Sequence, residues 1–236
     1  LASLAITDAA TVTLKASGGS FGNLISHDFE TVTLDDEETT SITLISSDYT
    51  SLEANIAGSE SVATLSVDAA GVESDLALDA VADPTALTSL TLNADGLNST
   101  ITLGGNGTTA AAIGDAEGTA VLAILSDITI TASNGSTIDA NSGFDSDAEM
   151  GDINTDGDLA TLTVSATGES STVEAPTVFA DGDIIDAISY SATDGGTVDT
   201  DGDEADMNYG YESLVLQATG TASTLEAELV MDAGAL

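Results

Sequence analysis

The sequence predicts an all-β protein, built as a β-solenoid-like stack of repeats. Two observations predict it: apolar and polar residues alternate in many short segments, and pairs of such segments recur with a Gly-containing turn between them. Alternation with a period of two is typical of strands with one buried face, and the Thr, Val and Ile in these segments favour strands. Tandem β-sandwich domains would show the same alternation and are the alternative architecture.

The repeated unit is an apolar alternation, a turn and a second alternation. Its copies are SLTLNADGLNSTITL at residues 89–103, TLTVSATGESSTVEA at 161–175, SLVLQATGTASTLEA at 213–227 and, more loosely, TLSVDAAGVESDLAL at 64–78 and DITITASNGSTIDA at 127–140. Copies follow each other at roughly 25 to 40 residues, which is the spacing of repeats that each bury a face against a neighbour.

Inward residues of separate copies would share one core in a solenoid and would be separated in tandem sandwiches. The test residues are Leu90, Leu92, Ile101 and Leu103 on one side and Leu162, Val164 and Val173 on the other. A glycine follows the first alternation of each copy and is expected to supply the positive φ of a tight turn. These glycines are Gly71, Gly96, Gly135, Gly168 and Gly220.

Three regions are expected along the chain. Residues 1–107 form an N-terminal β-repeat region, 108–126 an excursion rich in Ala and Gly, and 127–236 a C-terminal β-repeat region with acidic loops. The excursion fits a short helix or a buried irregular crossing, because glycines at 114 and 118 each cost a helix about 1 kcal/mol relative to Ala. Since the chain starts at Leu1 and ends within apolar alternation, we expect it to belong to a longer protein.

Charge excludes several classes of partner. The 236 residues carry 41 acidic side chains against one Lys, for a net charge of −40. With no basic patch, binding to nucleic acid or to an anionic membrane surface is not expected. No apolar run approaches the roughly 20 residues of a membrane span, so no membrane insertion is expected. Hydrophobic residues make up 42% of the chain, which argues against disorder. Bound cations or a saline medium would then offset the self-repulsion.

Alternating acids around a glycine indicate calcium loops. Residues 152–158 reproduce the D-x-N-x-D-G start of such a loop, where oxygen ligands converge on one cation and Gly allows the sharp turn. Residues 199–206 are a second segment with alternating acids around a glycine. Loop position 12 falls on Thr163, which cannot supply the bidentate carboxylate, so a helical EF-hand is not expected. The alternative for both segments is a solvated acidic turn. The predicted Ca²⁺ ligands are Asp152, Asn154, Asp156 and Asp158 in the first loop and Asp199, Asp201, Asp203 and Asp206 in the second.

Catalysis is not expected. The chain has a single histidine, His27, no cysteine and no tryptophan. A Ser-His-Asp triad cannot be assigned from one His among many Ser and Asp residues. Gly104, Gly105 and Gly107 lack the Lys of a phosphate-binding loop. We therefore predict that the protein is not an enzyme.

Units such as LTSLTLNADGLNSTITL and ATLTVSATGESSTV, with the acidity, the lack of cysteine and the near-absence of Lys, resemble the calcium-dependent, type-I-secreted bacterial surface-layer (S-layer) proteins. The resemblance implies a β-rich lattice protein on the cell exterior, held together by calcium. The Gly-Gly-x-Gly-x-Asp nonapeptide of RTX repeats is absent, so calcium would have to bind in other loops.

The expected function is that of a structural, self-assembling extracellular surface-layer or filament protein stabilised by calcium. The alternative is a calcium-rigidified adhesin or stalk module that binds a surface ligand. The expected partners are further copies of the chain in a lattice or filament, and a cell-surface polysaccharide. The expected location is extracellular, at the cell surface.

Overall fold

A computed structural model of the chain describes residues 3–34, 39–57, 60–82, 86–103, 113–114, 126–139, 153–155, 160–174, 178–180, 184–199 and 210–226. Its strands, numbered in chain order, are β1 Leu4–Ile6, β2 Thr11–Ala16, β3 Ile25–Leu34, β4 Ser41–Ser46, β5 Thr50–Ala57, β6 Thr64–Ala69, β7 Asp75–Ala82, β8 Ser89–Ala94, β9 Thr100–Leu103, β10 Ile113–Gly114, β11 Asp127–Ser133, β12 Thr137–Asp139, β13 Ile153–Thr155, β14 Thr161–Thr167, β15 Thr172–Glu174, β16 Val178–Ala180, β17 Ile184–Thr193, β18 Thr197–Asp199, β19 Gly210–Thr219 and β20 Thr224–Glu226.

The strands form two parallel sheets. The first sheet has eight strands in the order β19-β17-β14-β11-β8-β6-β4-β2. The second sheet has twelve, of which nine follow the order β1-β3-β5-β7-β9-β12-β15-β18-β20, while β10, β13 and β16 extend a side row from β7. Each first-sheet strand is followed along the chain by a second-sheet strand, so every turn of the chain adds one rung to both sheets. This arrangement is a β-solenoid, and the predicted all-β stack of repeats is confirmed.

The core is continuous from one repeat to the next. In the first sheet, Leu90 of β8 lies opposite Ile128 of β11, which in turn lies opposite Leu162 of β14. Leu92, Ile130 and Val164 form the next such column. The seven residues chosen to separate the two architectures all belong to one buried cluster. Tandem sandwiches, the alternative, are therefore wrong for this chain.

Small residues end the strands of the first sheet, where the chain turns toward the second sheet. Ala94, Ala132 and Ala166 occupy this position in consecutive rungs and are fully buried. In β4 the position is Ser46, whose Oγ lies 3.0 Å from Thr50 Oγ1 across the corner. A side chain without branches beyond Cβ lets the chain turn here while staying inside the core.

The turn glycines have two different roles, and the prediction holds for only three of the five. Gly135, Gly168 and Gly220 have positive φ as expected, at 75°, 98° and 92°. Gly71 and Gly96 do not, because the positive φ in those turns falls on Glu73 and Asn98. Glycine is required at these two positions because successive turns pack closely. A Cβ on Gly96 would lie 1.9 Å from the carbonyl oxygen of Gly71.

The first sheet passes the 108–126 excursion without a break, since β8 and β11 pair directly. Within the excursion Ile113, Gly114 and Ser126 are described, and the first two form β10, which pairs with β7 and β13. Insertions at this point of the repeat therefore leave the ladder on either side of them intact.

We expect Gly96→Ala to destabilise the protein by about 1–3 kcal/mol, because the added methyl group meets backbone atoms that cannot move aside as a side chain can. Thermal unfolding followed by circular dichroism measures the effect. Ser170→Gly is the control, since Ser170 has φ of 64° in the same corner of another turn and glycine accepts that conformation without strain. Equal melting temperatures for Gly96→Ala and the unmodified chain would contradict the close approach of successive turns.

Candidate functional site

The predicted calcium ligands lie mostly outside the described residues. Asp199 ends β18, and Asn154 is the central residue of β13. β13 pairs with β10 and β16, whereas β18 pairs with β15 and β20, so the two ligands stand in different rows of the second sheet. Outside the described residues lie Asp152, Asp156, Asp158, Asp201, Asp203 and Asp206.

Asp199 belongs to a set of acids that the register of the second sheet brings together. Asp139 of β12 lies opposite Glu174 of β15, Glu174 lies opposite Asp199, and Asp199 lies opposite Glu226 of β20. We call these four residues the acidic column. Adjacent parallel strands are about 4.8 Å apart, so the column places a carboxylate on each of four successive rungs at that spacing.

Three members of the acidic column were missed by the sequence analysis, although the sequence contains the signal. The tripeptides at 137–139, 172–174, 197–199 and 224–226 read TID, TVE, TVD and TLE, each a Thr, an apolar residue and an acid. The apolar residue points inward, as buried Ile138, Val173 and Val198 show. The acid follows it on the outward side, so aligning the second arms of the repeats would have predicted the column.

Neighbouring acids of the column make ionisation of Glu174 less favourable. Partial burial, and then the charges of Asp139 and Asp199, raise the pKa of Glu174 above its ordinary value. Like charges opposite each other on neighbouring strands are destabilising. At neutral pH the column therefore opposes stacking of the turns unless a cation or a proton offsets it.

Two further acids near the turns behave in the same way. Partial burial raises the pKa of Asp68, as does nearby Asp95, while a hydrogen bond from Asn93 Nδ2 to Asp68 Oδ1, 3.0 Å long, acts against them. Burial also raises the pKa of Asp75, against a backbone hydrogen bond from Leu76. Burial thus makes the carboxyl groups of Asp68, Asp75 and Glu174 less acidic in the fold than usual.

The acidic column suits calcium by its chemistry, because Ca²⁺ takes carboxylate oxygens as ligands at 2.3–2.6 Å. Among the described residues, however, no group of three or more acidic or imidazole side chains is placed to hold a metal ion. A cation on this part of the chain would bridge neighbouring rungs as a counter-ion.

The two ends of the first sheet are its outer strands β2 and β19. In β19, Leu216 continues the inward column of Val164 and Tyr190, yet it is 47% exposed whereas Tyr190 is 3% exposed. Val215 beside it is also 47% exposed. Within the part of the chain that the structure describes, no strand pairs with the outer edge of β19 or of β2.

His27 and Lys15 lie near the other end of the stack. His27 occupies the position of β3 opposite buried Leu52, and its Nε2 lies 3.3 Å from the carbonyl oxygen of Ser17. Lys15 stands on the outer face of β2, opposite Ile45. β3 thus has an imidazole where the strands that follow it in the second sheet have an aliphatic side chain.

No known protein family, curated protein or solved structure matches this chain. No helix among the described residues is long and apolar enough to cross a membrane.

We expect the carboxyl groups of Asp68, Asp75 and Glu174 to contribute stability as the pH falls from 7 toward their unfolded-state pKa values. Their pKa values are raised in the folded state, so the folded chain binds these protons more tightly than the unfolded chain does. The gain develops as the pH falls through the folded-state pKa values and is complete below the unfolded values of 3.8 and 4.5. Urea unfolding at pH 7, 5 and 4 measures it.

Glu174→Gln should raise the melting temperature at pH 7 by about 1–3 °C, because it removes a charge from the middle of the acidic column. Glu169→Gln removes one charge from an exposed turn outside the column and is the matched control. A lower melting temperature for Glu174→Gln than for Glu169→Gln would contradict repulsion within the column.

Proposed function

We propose that the chain is a structural, non-catalytic protein that self-assembles outside the cell into a surface layer or filament and is stabilised by calcium. The observation that carries this function is the pair of matching end strands. β2 and β19 bound the same sheet, and both run parallel to every strand between them. A second copy placed end to end would therefore meet the first with its strands in the orientation that the sheet already uses.

Residue patterns on the two end strands support end-to-end contact. Read along the columns of the first sheet, Val12, Leu14 and Ala16 of β2 correspond to Leu214, Leu216 and Ala218 of β19. Apolar residues therefore alternate in step at both ends. In-register pairing would bury Leu216 as its column partner Tyr190 is buried, and burial of apolar surface contributes roughly 25 cal/mol per Å².

Unpaired strand edges also favour association by themselves. An edge strand presents free N–H and C=O groups to any chain that can pair with it, and proteins that remain monomeric block such edges with Lys, Pro or bulges. β19 contains none of the first two, and β2 contains Lys15 alone. Head-to-tail contacts of this kind generate open filaments when the rotation between copies does not close.

Calcium would act at the acidic column, where it would offset repulsion between carboxylates. With a net charge of −40, copies stacked end to end would repel each other, and the column would continue across the junction. Divalent cations between rungs would offset that repulsion both within and between copies. The predicted loops around Asp156 and Asp201 would add sites of their own.

A calcium-rigidified adhesin or stalk module is the second candidate function. It shares the fold but requires a ligand site on the side of the stack, and a cleft among the first turns favours it. That cleft is described in the next section.

The edge of β19 is tested by Val215→Lys, since lysine on an edge strand discourages pairing with another chain. Thr163→Lys places the same charge in the same column but in the interior of the sheet, so it is the matched control. We expect Val215→Lys to abolish assembly in calcium, and Thr163→Lys to retain it, as measured by sedimentation and negative-stain microscopy. Circular dichroism checks that both variants remain folded.

Calcium is tested in the same samples by replacing it with a chelator at constant ionic strength. We expect a lower melting temperature and loss of the sedimenting species. Full recovery of both in sodium alone would replace calcium by general screening. Assembly by folded Val215→Lys as efficient as that of Thr163→Lys would contradict end-to-end contact through β19.

A further inference from the structure

A cleft of about 450 Å³ opens at the corner between the two sheets in the first turns of the stack. We call it the corner cleft. It lies outside the acidic column and away from the end strand β19. The side chains that matter for its chemistry are Asn23, Leu24, Tyr49, Glu73, Asp75 and Asn98.

The floor of the corner cleft is a column of turn residues with positive φ. Tyr49, Glu73 and Asn98 have φ of 53°, 49° and 55° and occupy the same place in three successive turns. Backbone hydrogen bonds tie these turns together, from Tyr49 N to Val72 O at 2.9 Å and from Glu73 N to Leu97 O at 2.8 Å. The ladder thereby sets an aromatic ring, a carboxylate and an amide side by side at rung spacing, about 4.8 Å.

One wall of the cleft is the long turn of the first repeat, residues 17–24. Two hydrogen bonds between Ser20 and Asn23, of 3.2 and 2.7 Å, close this turn. The Phe21 ring packs edge-to-face on Tyr49 with 6.0 Å between centroids. Although the wall is held in place, Phe21 is 83% and Leu24 62% exposed. Phe21 and Leu24 thus leave apolar surface exposed at the edge of the cleft, beside its polar groups.

Hydrogen-bonding capacity in the cleft is only partly used. Ser74 lines the cleft and is 1% exposed, and its Oγ has no hydrogen-bond partner among the described residues. The corresponding hydroxyl groups of Ser171 and Ser223 donate to carbonyl oxygens of their own turns. Most buried polar groups in proteins have partners. Ser99 in the next turn is also without one among the described residues although it does not line the cleft, so the missing partner marks these two turns and not the cleft alone.

We propose that the corner cleft binds a neutral carbohydrate. The carboxylates of Glu73 and Asp75 accept hydrogen bonds from sugar hydroxyls, and the amides of Asn23 and Asn98 both donate and accept. The Leu24 side chain and the Tyr49 ring, which Phe21 supports from just outside the lining, offer an apolar surface for the C–H face of a sugar ring, as pockets combine apolar walls with a few placed polar groups. The ligand would be a short stretch of a neutral polysaccharide.

Other ligand classes use this set of groups less well. The lining contains two carboxylates and no basic side chain, so anionic sugars and phosphates are repelled. A metal ion lacks the third acidic ligand among the described residues. An organic cation would use the carboxylates but leave the amide donors of Asn23 and Asn98 without partners. A polyhydroxylated neutral ring satisfies donors and acceptors together.

This inference supplies the polysaccharide partner of the proposed function and does not depend on self-assembly. Its test therefore uses dilute, monomeric protein, so that a failure of sugar binding and a failure of assembly are separate results. Neutral gluco-, galacto- and manno-oligosaccharides of a few units are titrated into the labelled chain and followed by NMR. We expect saturable shifts at Asn23, Tyr49, Glu73 and Asn98.

Variants with matched controls locate the site. Glu73→Gln should weaken binding at least about tenfold, because a neutral amide oxygen replaces a charged acceptor of sugar hydroxyls. Leu24→Ser should also weaken binding, because it removes exposed apolar surface from the lining. Glu169→Gln and Leu97→Ser make the same changes at exposed turn positions outside the lining and should leave binding unchanged. Melting temperatures confirm that all four variants are folded.

Three results would overturn the carbohydrate site. One is the absence of saturable shifts with every neutral oligosaccharide up to its solubility limit. Another is binding that Glu73→Gln and Leu24→Ser leave unchanged. The last is preference for oligogalacturonate or for arginine amide over the neutral sugars, which would make the ligand an anion or an organic cation instead.

Discussion

The parallel, in-register ladder is the constraint on which the rest of this structure depends. Each residue stands above its equivalent in the next turn at about 4.8 Å, so any property of one repeat becomes a column running along the protein. Aliphatic residues in register give a largely aliphatic core, as Leu90, Ile128 and Leu162 show. A small residue, alanine or serine, near the end of each first-sheet strand gives a corner that can turn sharply. Gly96 is needed because the ladder brings its backbone against that of Gly71.

The same in-register stacking makes acidic residues on neighbouring rungs destabilising. In a chain of net charge −40, acids that recur in each repeat must face one another across rungs, and Glu174 between Asp139 and Asp199 shows the consequence in its raised pKa. Retaining acids at these positions costs stability at neutral pH unless a cation lies between the rungs. If calcium binds between the rungs, stability and assembly would both depend on it, because turns and copies would hold together only where the cation is present.

Columns also explain which features the sequence predicts. The fold follows from alternation and repetition, which are local patterns, and the buried positions of Leu92 and Val164 follow with them. The close approach at Gly96 does not follow, because it depends on how tightly successive turns pack. From the sequence alone, such a glycine cannot be told from one that is needed for a positive φ. The partners of Asp199 require the register between arms, which spacing alone does not fix. The corner cleft depends on the 17–24 turn of a single repeat folding back onto Tyr49, a contact that no repeat pattern contains.

The ladder itself is tested most directly by distances between spin labels on outward positions of the first sheet. Thr43 of β4 and Ser189 of β17 occupy the same column five steps apart. The account predicts a backbone separation of roughly 24 Å for this pair. It predicts roughly 19 Å when Thr163, one step nearer, replaces Ser189. A dipolar electron resonance measurement in which the separation fails to shorten by one rung between the two pairs would contradict the in-register solenoid.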